Sequence, residues 1–319
     1  MILRLGHAEL FVTDLDKSRD FYVNVLGFIE AGKKGNSLYL RAIEEFDKYS
    51  LILTQNSYAG MGHFGLRVSH PDYLHVLKKL HDEQGIKNEF IEDRLHPGLG
   101  ACLKVTEPNG HHIAFYHEMA QVDYTDGMGG MDALPMRRSH LHRGVPPLKI
   151  DHVNLRVPNV DEALKYWSSL DFSISEYVEE DEGKFAAWVR RTTTTHDVAL
   201  VKAEKAALHH VAYNVDGVLG VVKTADLLAD AGYRDSIEYG PGRHGVSNAF
   251  FLYIRDPDGH RIEIYSGDYH RDLDHAPIKW SKEDYDKKGR LWWGAAVPER
   301  FFETTPLNKE WMKVGFSIR

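Results

Sequence analysis

The chain has 319 residues, 43% apolar and 27% charged, with a net charge of −8. That length exceeds one ordinary domain, so two units of roughly 150 residues, each able to bury its own core, are expected. The acidic balance and the absence of a basic patch of any length argue against nucleic acid, and the longest apolar runs fall far short of a membrane span.

One cysteine, Cys102, excludes a disulfide framework and a thiolate metal site. The opening MILRLGHAEL enters a strand-like pattern at once and carries no export signal, so a cytoplasmic protein is expected. Along the chain, a strand begins near residue 4 and an amphipathic helix follows Asp14 through Leu15, Phe21 or Tyr22, Val25 and Leu26. A second unit starts near 62, with its helix after Pro71 (Leu74, Leu77, Leu80). A third starts near 150, with a helix after Asp161 (Leu164, Trp167, Leu170), and a fourth near 208, with a helix after Asp216 (Val218, Val221, Leu227 or Leu228). Each reads as strand, helix, then further strands, which makes an α+β protein of four βαβββ modules, two per domain.

The expected boundaries are a first domain over 1–120, a linker over 121–147, a second domain over 148–268 and a tail over 269–319. Gly127, Gly129, Gly130, Pro135 and Arg137-Arg138 break the strand pattern and mark the linker. The tail carries Trp280, Trp292, Trp293 and Phe301-Phe302, too aromatic for disorder, and is expected to pack on the second domain.

The halves repeat one another. Gly6-His-Ala-Glu-Leu-Phe-Val recurs as Asp151-His-Val-Asn-Leu-Arg-Val, Gly62-His-Phe-Gly-Leu-Arg-Val as His209-His-Val-Ala-Tyr-Asn-Val, and Glu107-Pro-Asn-Gly-His-His-Ile-Ala-Phe-Tyr as Asp256-Pro-Asp-Gly-His-Arg-Ile-Glu-Ile-Tyr. From His7 to His152, His63 to His210 and Ala114 to Glu263 the offsets are 145, 147 and 149, so three blocks keep register.

His152 opens a strand whose residues 152, 154 and 156 share one face while Val153, Leu155 and Val157 take the packed one. His210 and Glu263 hold the matching positions of their strands, Glu263 between Ile262 and Ile264. Two imidazoles and a carboxylate on one side of a metal leave adjacent positions for a chelating substrate and dioxygen, the arrangement of non-haem iron oxygenases. The same residue types also serve zinc hydrolysis, and a solvated polar cluster uses them with no metal. A lone strand histidine is more often a hydrogen-bonded structural residue; three in matched register reverse those odds. The first half keeps His7 and His63 but has Ala114 in place of Glu263, so it is expected to be without a metal site, with His7 and His63, like His111, His112 and His117, serving structure.

With these residues in hand, the chain resembles the extradiol ring-cleaving dioxygenases of the vicinal oxygen chelate superfamily over nearly its whole length. The most specific block runs from Gly240-Pro-Gly-Arg-His-Gly-Val to Asp256-Pro-Asp-Gly-His-Arg-Ile-Glu-Ile-Tyr; Leu208-His-His-Val-Ala-Tyr and Ala186-Ala-Trp-Val-Arg with Thr195-His196-Asp197 also match. The resemblance implies the glyoxalase-like fold, with each pair of modules forming an open barrel. It also implies a metal on His152, His210 and Glu263, iron(II) or alternatively manganese(II). It further implies catalytic roles for His196, His244 and Tyr253, and substrate contacts from Asn154, Trp188 and Arg290. The implied reaction adds both atoms of O2 beside the diol of a catechol to give a muconic semialdehyde. Within the family the motifs look most like those of enzymes acting on 3,4-dihydroxyphenylacetate, and a homotetramer is the family's assembly. Tyr239 stands where a second carboxylate-binding arginine is expected, which keeps a neutral catechol open as the substrate. A glyoxalase-type isomerase would need a further carboxylate where Ala199 projects, and a binding module of this fold would need no metal ligands.

Overall fold

The computed structural model describes residues 1–92, 95–121 and 144–308. Most of the expected linker lies outside these residues. The first half forms β1 (Ile2–Val12), β2 (Ile29–Lys34), β3 (Ser37–Arg41), β4 (Leu51–Gln55), β5 (Gly60–Val68), β6 (Asn88–Ile91), β7 (Cys102–Thr106) and β8 (His112–Tyr116). The second forms β9 (Lys149–Val157), β10 (Ser173–Glu180), β11 (Gly183–Arg190), β12 (Val198–Lys202), β13 (Ala207–Asn214), β14 (Ile237–Arg243), β15 (Phe250–Arg255), β16 (Arg261–Ser266) and β17 (Ile278–Ser281).

The two sheets repeat one topology. The first runs β2-β3-β4-β1-β5-β8-β7-β6, and the second runs β14-β15-β16-β13-β9-β12-β11-β10-β17, the same order read from its other end with β17 added. In each, an antiparallel central pair (β1 with β5, β9 with β13) joins two modules, and each central strand pairs in parallel with the last strand of its own module. This is the mixed, helix-poor α+β architecture expected of four βαβββ modules, with two open sheets.

The helices follow each module's first strand: α1 (Leu15–Arg19), α2 (Asp72–Glu83), α3 (Val160–Ser169) and α4 (Gly217–Asp230). Asp14 caps α1 by accepting from the Lys17 amide at 3.0 Å, after which the chain widens into a π-turn over Asp20–Val25. The third helix starts earlier than expected, because Asn159 rather than Asp161 supplies its cap. Asp161 instead accepts from the backbone and ammonium of Lys184, tying the helix to the strand behind it.

The halves do not keep separate cores. One continuous apolar cluster includes Leu10, Phe64 and Leu103 of the first half with Trp167, Leu200 and Ile264 of the second. Phe64 stacks on Trp167 across the join, and each such buried side chain contributes about 1.5–3 kcal/mol. Beyond residue 268, β17 extends the second sheet in parallel with β10. The chain then bridges Thr305 to Leu208 and Leu307 to Met61, so the tail touches both sheets. Phe301 is buried, but Trp292 and Trp293 stay half exposed.

Candidate metal centre

Alternation along β9 sends Val153, Leu155 and Val157 into the core and His152, Asn154 and Arg156 to the opposite face, where they line a pocket of about 320 Å³. On β13, a register shift between Leu208 and His210 sets His210 opposite Asn154. Parallel pairing of β13 with β16 brings Glu263 beside Ala212, held between buried Ile262 and Ile264.

The three donor atoms form a near-equilateral triangle. His152 Nε2 lies 3.1 Å from both His210 Nε2 and Glu263 Oε2, and His210 Nε2 lies 3.0 Å from the same oxygen. For donor–metal bonds of about 2.1 Å, neighbouring corners of an octahedron are about 3.0 Å apart and those of a tetrahedron about 3.4 Å. The donor set therefore fits one face of an octahedral divalent ion, with the other face turned to the pocket. All three side chains are buried.

Electrostatics agree with a cation site. Burial would raise the Glu263 carboxyl, but the His210 ring and hydrogen bonds with the histidines hold it well below the usual range. At His152 burial is outweighed by hydrogen bonds to Asp151 and Glu263, which lift it to about 9, whereas burial dominates at His210 and lowers it to about 4. A metal ion would take the place of the proton that these groups share. Asp151 accepts from His152 Nδ1 at 2.8 Å and His209 meets His210 Nδ1 at 2.7 Å, so the nitrogen of each ligand facing away from the triangle is already held.

The remaining expected site residues, His196, His244, Tyr253, Asn154, Trp188 and Arg290, line the same pocket. The His196 ring lies 3.9 Å from that of His152 and is kept neutral, first by burial and then by His152. His244 Nε2 is 3.0 Å from the Tyr253 hydroxyl and 3.6 Å from Glu263 Oε1. Burial, followed by the Glu263 charge, raises the Tyr253 phenol well above its ordinary value. The Asn154 carbonyl oxygen has no hydrogen-bond partner among the described residues. Arg290 reaches over the Tyr285 ring at 5.0 Å and pairs with Asp286 at 3.2 Å. Tyr239 sits one ring back, stacked parallel on Tyr253 at 5.9 Å, and its own hydroxyl has no partner among the described residues.

Arg156 lies half-buried on the same face of β9 as His152 and Asn154. It lines the pocket, makes no hydrogen bond or ion pair with any described residue, and burial lowers its pKa to about 10. Among its charged neighbours are the cations Arg261 and Arg290. Buried Arg261, by contrast, is neutralised by Glu238 at 2.5 and 3.1 Å. The only signal in the sequence was the alternation that put 156 on the same face as 152 and 154.

In the first half Ala114 is buried beside Gly65, as the duplication implies, and His7 Nε2 lies 3.0 Å from His63 Nε2. His111, His112 and His117 bond to Glu107 and Ala207, to Thr106 and to Val68 respectively, which are packing roles. At the position of the isomerase carboxylate, Ala199 lies buried between Asn154 and Trp188.

The sequence profile of the Glyoxalase/Bleomycin resistance protein/Dioxygenase superfamily matches residues 4–125 and 149–264. The manganese-dependent 2,3-dihydroxybiphenyl 1,2-dioxygenase of Geobacillus genomosp. 3 is 30% identical over 305 residues, covering 92% of this chain and 94% of the relative. A metapyrocatechase of Geobacillus stearothermophilus is 31% identical over 311 residues, 94% of this chain and 92% of the relative. Among solved structures, homoprotocatechuate 2,3-dioxygenase from Brevibacterium fuscum in complex with 3,4-dihydroxyphenylacetate superposes with a TM-score of 0.88 at 38% identity, over 95% of this chain and 92% of that one. A duplicated sheet, a facial His-His-Glu triangle and full-length relatives agree: the chain belongs to the extradiol ring-cleaving dioxygenases of the Glyoxalase/Bleomycin resistance protein/Dioxygenase superfamily.

Proposed function

We propose that the protein uses a divalent metal and dioxygen to open the ring of 3,4-dihydroxyphenylacetate beside its diol, yielding a muconic semialdehyde. The observation that carries this reading is the triangle of His152, His210 and Glu263 at 3.0–3.1 Å on the wall of a pocket large enough for a catechol. We assign iron(II) to it, manganese(II) being held by the same donors. When bound, such an ion supplies a chelating centre for both diol oxygens and an adjacent position for dioxygen.

The chain's own groups then divide the work. His196, neutral and beside His152, takes up or returns a proton on the dioxygen side. The Tyr253 hydroxyl, aligned by His244, hydrogen-bonds one diol oxygen and so distinguishes it from the other. Trp188 and Asn154 orient the ring, and the apolar walls of the pocket exclude water. Arg156 and Arg290 form the end that receives the substrate's carboxylate, since a half-buried guanidinium without a counter-ion is stabilised by a ligand that brings one. The chemistry thus belongs to residues 148–268, and the tail over 269–319 closes the pocket with Arg290, Phe301 and Phe302.

A neutral catechol is the second reading, favoured by Tyr239, whose buried ring adds no charge to the pocket. The test is aerobic incubation of metal-loaded protein with 3,4-dihydroxyphenylacetate and with catechol, following yellow product. Preference for the arylacetate supports the reading, preference for catechol selects the alternative, and no product from either refutes both.

A further inference from the structure

We infer that the first half holds a second divalent metal ion, bound by Glu9, His63 and His96. One donor atom from each of these residues lies within 4.8 Å of the others, and all three side chains are buried. None of them occupies the position of Ala114. The carboxylate missing from β8 is supplied instead from β1, two residues after His7 on the same face.

The surroundings are built as metal sites are built, with the outward atom of each ligand already engaged. Thr54 donates to Glu9 Oε1 at 2.7 Å, which leaves Oε2 turned toward His63 Nδ1 at 2.9 Å. Tyr39 lies 3.3 Å from His96 Nδ1, while His96 Nε2 is buried without a partner among the described residues. The His63 and His96 rings stack at 5.2 Å with a 12° tilt, and His63 Nε2 is backed by His7. Room for the carboxylate comes from Gly62: a Cβ there would stand 2.3 Å from Glu9 Oε2. The second half has His209 at the matching position.

The charge balance points the same way. Glu9 takes its hydrogen bonds from Thr54 and His63, with no ammonium or guanidinium among its described partners. An ionised carboxylate and imidazole nitrogens buried together suit a divalent ion of the zinc or manganese class. All three side chains are closed off from solvent, so the ion would be structural rather than catalytic.

The test loads the full-length protein with zinc(II) alone, removes loose metal by gel filtration and measures metal per chain. Wild type is expected to hold two ions, Glu263→Ala one, and Glu263→Ala combined with His96→Gln none. Gly62→Ala, which displaces the Glu9 carboxylate, gives a second route to the same loss if His96→Gln folds poorly. A Glu263→Ala protein that is folded by circular dichroism and carries no zinc overturns the inference. A wild type holding a single ion that His96→Gln removes and Glu263→Ala does not would uphold this site while refuting the assignment of a metal to His152, His210 and Glu263, so the two failures are distinguishable.

Discussion

Replacing Arg156 by methionine keeps much of the apolar stem and removes the charge. If the guanidinium receives a substrate carboxylate, the variant loses a charge-assisted hydrogen bond worth about 1.5–3 kcal/mol in a partly dry site. That corresponds to a fall in kcat/KM for 3,4-dihydroxyphenylacetate of about 10- to 150-fold. A neutral substrate such as 4-methylcatechol never meets that charge, so its kcat/KM should move by less than about threefold. The substrate-free protein should melt no lower than wild type, because a half-buried cation flanked by Arg261 and Arg290 has lost only repulsion. The assay is steady-state formation of yellow product from both substrates with metal content matched, together with a thermal melt. Equal losses on the two substrates, or unchanged turnover of the arylacetate, would refute the assignment of Arg156.

Asp151→Asn, which weakens the hold on His152 Nδ1, should lower manganese affinity about 10- to 100-fold, read by dialysis against buffered metal. His196→Phe should reduce kcat about 10²- to 10⁴-fold with little change in KM, and a fall in KM alone would contradict a proton-transfer role. Asp197 sits at about 6, raised by burial above its ordinary 3.8. The folded protein therefore holds a proton there that the unfolded chain releases, so this stabilisation is complete below pH 3.8 and lost as pH rises through 6. Asp197→Asn keeps an acceptor for the Arg191 amide and should gain about 1–3 kcal/mol over wild type at pH 8 but nothing near pH 4, measured by urea melts. A gain independent of pH would sink that account.

The sheets were legible because strand alternation and the duplication constrain one another. His152, Asn154 and Arg156 fall on one face wherever Val153, Leu155 and Val157 must pack, and a three-block register leaves no freedom to slip. The meeting of His152, His210 and Glu263 followed from the same two facts. The Glu9, His63 and His96 cluster did not, because comparison of the halves asks only whether matched positions agree. Glu9 lies where the other half has Asn154, and His96 belongs to a loop outside the repeat. Arg156 was seen on its face but not understood, since the want of a counter-ion is a property of the surrounding volume rather than of the strand. The cap on the third helix was missed because two good capping residues, Asn159 and Asp161, stand close together, and only the tertiary pull of Lys184 separates their roles.

The tail's last described residues give the inactive copy a mechanical task. Arg290, Phe301, Phe302 and Thr304 wall the pocket, and the same strand of chain goes on to bond Leu208 through Thr305 and Met61 through Pro306 and Asn308. The rim of the pocket is thus moored at its far end to the sheet that has Ala114 in place of Glu263. Loosening that mooring would let the rim swing even with His152, His210 and Glu263 in place, so the first half of the duplication serves as ballast for the second.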